Sequence, residues 1–152
     1  MATYKHVLVA IDLTDEAQQV LGRAREEAQL QGAQLSVVHV LKPFTHVYGG
    51  YGAIGPGDFG VRLASLELEL RREAEQQLAD IAKHMDVPPE RTHMLTGNAA
   101  SEIRQLAAAR GADLIVIGTH GQHGLGLLLG STANAVLHGA AIDMLVVRVK
   151  GD

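Results

Sequence analysis

The chain has 152 residues, 47% of them hydrophobic and 20% charged, with a formal net charge of −4 and a pI near 6.0. That suffices for one domain with its own core and is too acidic for a nucleic-acid footprint; aromatic residues at 3% and no tryptophan also leave few platforms for stacking bases. The absence of cysteine excludes disulfides, thiol chemistry and cysteine-bound zinc, and fits a reducing compartment. With no signal peptide ahead of the first strand and no apolar run near the roughly 20 residues of a membrane span, the expectation is a soluble, cytoplasmic protein with a single domain over 1–152.

His6 to Ile11 is a β-branched apolar run with the pattern of a strand buried on both faces. It ends at Asp12. Thr14 is expected to cap a helix with Asp15 and Glu16 in its first turn, reaching about Gln31. Ala17, Val20, Leu21, Ala24 and Ala28 recur along it at helical spacing, and Gly32 suits the C-cap. Gln34 to Leu41 reads as a second buried strand, so the opening is a βαβ unit with parallel strands. Lys42 to Gly60 differs in kind, with Gly49, Gly50, Gly52, Gly55, Gly57, Gly60 and two prolines. A long loop of this sort inside a domain is either a functional lid or plain flexible chain.

Val61 to His84 reads as one long helix with Leu63, Leu66, Leu70, Ala74, Leu78 and Ile81 as its inner stripe; Glu67, Glu69, Arg71 and Glu73 form a solvated face. Pro88 and Pro89 break the chain before a short third strand, Arg91 to Leu95. A helix from Asn98 to Arg110 closes at Gly111, and Asp113 to Ile117 is a fourth buried strand. A glycine-rich turn, Gly118 to Thr132, leads into a short helix ending at His138, and Met144 to Val149 is the last strand. Five strands alternating with four helices give an α/β fold with a parallel sheet.

The turn from Gly118 to Thr132 joins a strand's carboxyl end to a helix's amino end. Glycines let backbone N–H groups approach an anion, and the helix terminus adds unpaired donors, so the stretch reads as a phosphate cradle or else as a tight crossover without a ligand. Asp12 after the first strand and Val40-Leu41 closing the second belong to the same edge of a parallel sheet, where such folds bind ligands. An acidic residue there can orient a ribose, and an apolar strand end can flank a base. His120 and His123 lie three apart in a loop with no third ligand in view, so they read as solvated or phosphate-neighbouring imidazoles and no metal is assigned. His39 reads as a satisfied core histidine. Ser131 has no nucleophile elbow around it and suits a phosphate contact or an N-cap. With no lysine in the glycine turn, any NTP hydrolysis is expected to be slow.

Taken together, Tyr4 to Thr14, Leu35 to Val40, Asp113 to Gly121 and Asp143 to Val147 resemble the corresponding strands and turns of a universal stress protein of the UspA type, over essentially the whole chain. That resemblance implies an open five-stranded parallel sheet of order 3-2-1-4-5 with helices on both faces, Rossmann-like and nucleotide-binding. It implies ATP, with Mg²⁺, as the cofactor: Ala10 and Asp12 beside the sugar and base, Val40 on the adenine, and Gly118, Gly121, Gly130, Ser131 and Thr132 on the phosphates. A homodimer through the last strand, Met144 to Val149, is implied as well. The sequence departs from the nucleotide-binding branch in two places. Ala10 stands where that branch often has proline, and eight residues separate Gly121 from Gly130-Ser131, one fewer than in its signature. Two function classes follow: a stress-response regulator that binds ATP and at most hydrolyses it slowly or autophosphorylates, or a dimeric interaction module with the same fold and an empty cleft.

Overall fold

The computed structural model describes residues 3–43, 58–119 and 131–150. Its elements are β1 (His6–Ala10), α1 (Ala17–Gln31), β2 (Gln34–Leu41), α2 (Asp58–His84), a 3-10 turn (Pro89–Arg91), β3 (Thr92–Thr96), α3 (Ala99–Arg110), β4 (Leu114–Gly118), α4 (Ser131–Gly139) and β5 (Asp143–Val147). The five strands form one parallel sheet in the order β3-β2-β1-β4-β5. The expected fold class and strand order are both found.

β1 is central, with Ala10 opposite Val38 on one side and Ile117 on the other. Its residues alternate between two cores, which is why the run is apolar throughout. Val7, Val9 and Ile11 meet Leu21, Ala24 and Leu78 on the side of α1 and α2. Leu8 and Ala10 meet Ile103, Ala107 and Val136 on the side of α3 and α4. The amino end of β1 is held by Asp113, whose carboxylate accepts from the backbone N–H groups of Lys5 (2.9 Å) and His6 (3.0 Å). Ser36, the one buried polar side chain among the described residues, is satisfied: the His6 ring donates from Nδ1 to the Arg110 carbonyl (3.1 Å), leaving Nε2 to accept from the Ser36 hydroxyl (2.6 Å).

Several boundaries are corrected. α1 starts at Ala17 with Glu16 in the N-cap position, so Asp15 and Glu16 precede the helix. Thr14 stands two residues before the N-cap, and its hydroxyl donates to Asp12 Oδ1 (2.7 Å) two residues back. α2 begins three residues before Val61, and Leu66 and Leu70 of its expected inner stripe are 43% and 45% exposed. At about 1.5 Å per residue the helix far outruns β3, so it is chiefly its second half, through Ala74, Leu78 and Ala82, that reaches the core. β3 starts at Thr92, since Arg91 completes the 3-10 turn that the two prolines initiate. β5 ends at Val147, although Val149, 5% exposed, still packs in the α1 and α2 core. The glycine caps stand as expected: Gly32 (φ 65°) and Gly111 (φ 71°) are left-handed and close α1 and α3.

Candidate functional site

Because every strand runs the same way, the chain leaves β1, β2 and β4 along one edge of the sheet. Ala10 is the last residue of β1 and Asp12 lies two beyond it; Val40 is next to last in β2; Gly118 ends β4. α4 opens at Ser131 and Thr132, and its buried Ala133 and Val136 pack in the same cluster as Ala10, Ile117 and Val40. Six of the eight expected binding residues, Ala10, Asp12, Val40, Gly118, Ser131 and Thr132, thus belong to this edge. Gly121 and Gly130, with His120, His123 and the glycine-rich stretch from Gly49 to Gly57, lie outside the described residues.

The strand order reverses at this edge, between β1 and β4. β1 is followed by α1 on one face, whereas β4 is followed in the chain by α4 on the other. The neighbouring strand ends that carry Asp12 and Gly118 thus precede helices on opposite faces of the sheet, which is where open parallel sheets bind ligands.

Hydrogen bonds that the sequence did not announce fix the surroundings. The half-buried His39 ring lies 2.7 Å from the Ile11 carbonyl, so it is satisfied as expected, but by the turn that carries Asp12. Thr119, the first residue after β4, extends the ladder by donating its N–H to Val147 (2.9 Å), while its hydroxyl oxygen accepts from the N–H of Val149 (3.1 Å). Gln19 of α1 then takes Lys150 at both backbone groups, donating to its carbonyl (2.8 Å) and accepting from its N–H (3.0 Å). Thr119 sits in a stretch already singled out for its glycines, and its side chain carried no separate signal. On the far side of α4, Arg104 donates to the Ala135 carbonyl (2.8 Å) and lies where a side chain at Gly139 would fall.

The profile of the Universal stress protein family matches residues 3–148. This chain is a member of that family. Over 148 residues it is 43% identical to universal stress protein A homolog 1 of Coxiella burnetii, covering 97% of this chain and 98% of that one. It is 32% identical to the universal stress protein A homolog of Pasteurella multocida, with 98% and 99% covered. Among solved structures it is similar to universal stress protein UspA from Lactobacillus plantarum, with a TM-score of 0.76 at 23% identity and 97% and 100% of the two chains covered. A universal stress protein solved in complex with cAMP aligns with a TM-score of 0.62 at 23% identity, covering 98% and 100%.

Chemically, the edge offers the carboxylate of Asp12, an apolar wall from Val40 and Ala10, and the amino end of α4, the positive end of its dipole. Among the described residues no group of three His, Asp or Glu side chains forms a metal-ligand set, and no helix is long and apolar enough to cross a membrane.

Proposed function

We propose that this universal stress protein is a nucleotide-binding regulator that takes ATP at the carboxyl edge of the sheet and acts in the cytoplasm as a homodimer. The observation that supports the reading is the reversal of strand order at β1 and β4, with Asp12, Gly118, Ser131 and Thr132 at the same edge of the sheet. The residues present suit the ligand's parts. Asp12 can accept from ribose hydroxyls, Val40 and Ala10 can flank the base, and Gly118, Gly121, Gly130, Ser131 and Thr132 can offer N–H and hydroxyl groups to phosphates. The bound cyclic nucleotide in a family structure of the same fold supports a nucleotide over other anions. Without a lysine in the glycine turn, hydrolysis or autophosphorylation is slow at most, and the bound state itself is the signal.

Calorimetry with ATP and Mg²⁺ tests this, using the wild type beside a Gly130→Val, Ser131→Ala double variant. Micromolar binding in the wild type, lost in the variant, is the expected outcome. No heat from a folded wild type overturns the ATP assignment and leaves the dimeric interaction module.

A further inference from the structure

We propose that His39 is a positioning residue of this cleft, a brace that fixes the turn carrying Asp12 against the strand end carrying Val40. The backbone ladder between β1 and β2 finishes with the N–H of Ile11 on the Val38 carbonyl (3.0 Å). The next group along the chain, the Ile11 carbonyl, takes its hydrogen bond from the His39 ring at 2.7 Å. A carbonyl can only accept, so Nδ1 carries the proton and the ring is held in the Nδ1–H tautomer. Ile11 is thereby gripped at both backbone groups by β2, immediately before the chain turns away to present Asp12.

The geometry links the two walls by the shortest route. Residues alternate faces along a strand, so Val40 packs with Ala10 and α4 while its neighbour His39 turns to the α1 and α2 side, where Ile11 packs. One strand end thus supplies an apolar wall with one residue and anchors the opposite wall with the residue before it. Asp12 is in turn tied to Thr14, whose hydroxyl donates to Oδ1 at 2.7 Å, so fixing Ile11 fixes the carboxylate's mount. Granted the nucleotide cleft proposed above, a turn placed beforehand binds more tightly, because its ordering cost is not met by the ligand.

His39→Ala, His39→Asn and His39→Gln separate this brace from general packing. The Asn amide nitrogen falls near Nδ1 and restores donation to Ile11, whereas the Gln amide reaches the Nε2 position instead. Nucleotide binding is expected to weaken about ten-fold in Ala and Gln and to return close to wild type in Asn, the size expected for one well-placed hydrogen bond. In the ligand-free protein, amide exchange at Ile11 is expected to accelerate about ten-fold in Ala and not in Asn, with Ala112 as an unaffected reference. If Ala does not fold, the Asn and Gln pair gives the same contrast. Equal affinity in all variants, with a binding wild type, overturns the brace and leaves the nucleotide reading standing. A wild type that binds nothing overturns the nucleotide reading alone, and the exchange at Ile11 then decides whether His39 holds the turn.

Discussion

Asp113 stands just before β4, yet its side chain serves β1, taking the N–H groups of Lys5 and His6 on its carboxylate. Burial alone pushes its carboxyl up, but the N–H groups of His6, Lys5 and Asp113 itself outweigh burial and hold it below the usual carboxylate range. The folded-state value therefore lies below the unfolded one. The stabilisation is complete above the ordinary carboxylate range and disappears as pH falls through the lowered folded value. Asp113→Asn is expected to cost about 1–2 kcal/mol at neutral pH and to flatten the acid side of the stability curve, as read by urea unfolding across a pH series. Little of this was legible beforehand: an aspartate ahead of an apolar run reads as a strand boundary, and its partners lie at the other end of the chain. The place of Asp12 just beyond β1 was legible because the apolar run of the strand ends there. His39 was half legible: its satisfaction was expected, its partner was not.

At the level of elements, the glycine caps and breaks were readable because they answer to local backbone rules; Gly32 and Gly111 adopt the left-handed conformation that ends a helix. The start of α1 was misplaced because the chain makes a turn first, with the Thr14 carbonyl accepting from the N–H of Ala17, and the residue pattern does not announce that extra turn. The stripe of α2 was over-read for another reason. Helical periodicity records which face is apolar but not how much of the helix has a sheet beneath it, and Val61, Leu66, Leu68 and Leu70 are exposed. The end of β5 shows a side chain standing in for backbone: where β4 departs into the glycine turn, Thr119 Oγ1 replaces the missing ladder acceptor for Val149. Thr119→Val removes that acceptor while keeping the shape, leaving the N–H of an almost fully buried residue without its partner. The expected loss is about 1–3 kcal/mol in thermal or urea unfolding, and Thr119→Ser is expected to recover most of it.

For the molecule as a whole, β3 and β5 are the edge strands of the sheet among the described residues. Since Thr119 donates to the Val147 carbonyl, Val147 and Leu145 direct their backbone groups into the sheet, and Met144 and Val146 direct theirs outward. If the homodimer forms through β5, Val146→Pro removes an outward N–H without deleting a ladder bond to β4, and is expected to shift the protein towards monomer in sedimentation while its helical and strand signals persist. The overall architecture was legible because alternating strands and helices with parallel crossovers leave few topologies, and the family resemblance selected one of them. A dimer face is harder to read, since an edge strand's composition does not say what lies against it. The place of β1 has one more result, for how the protein is made. β1 leaves the ribosome before β4 and yet lies in the middle of the sheet, with Val7 opposite Leu114 and the N–H groups of Lys5 and His6 held by Asp113. Until β4 has been synthesised, Val7, Leu8 and Val9 have one flank bare, so the order of synthesis and the order of enclosure run opposite ways. β1 therefore stays half enclosed until β4 arrives, and that interval is when this protein most needs shelter from its neighbours.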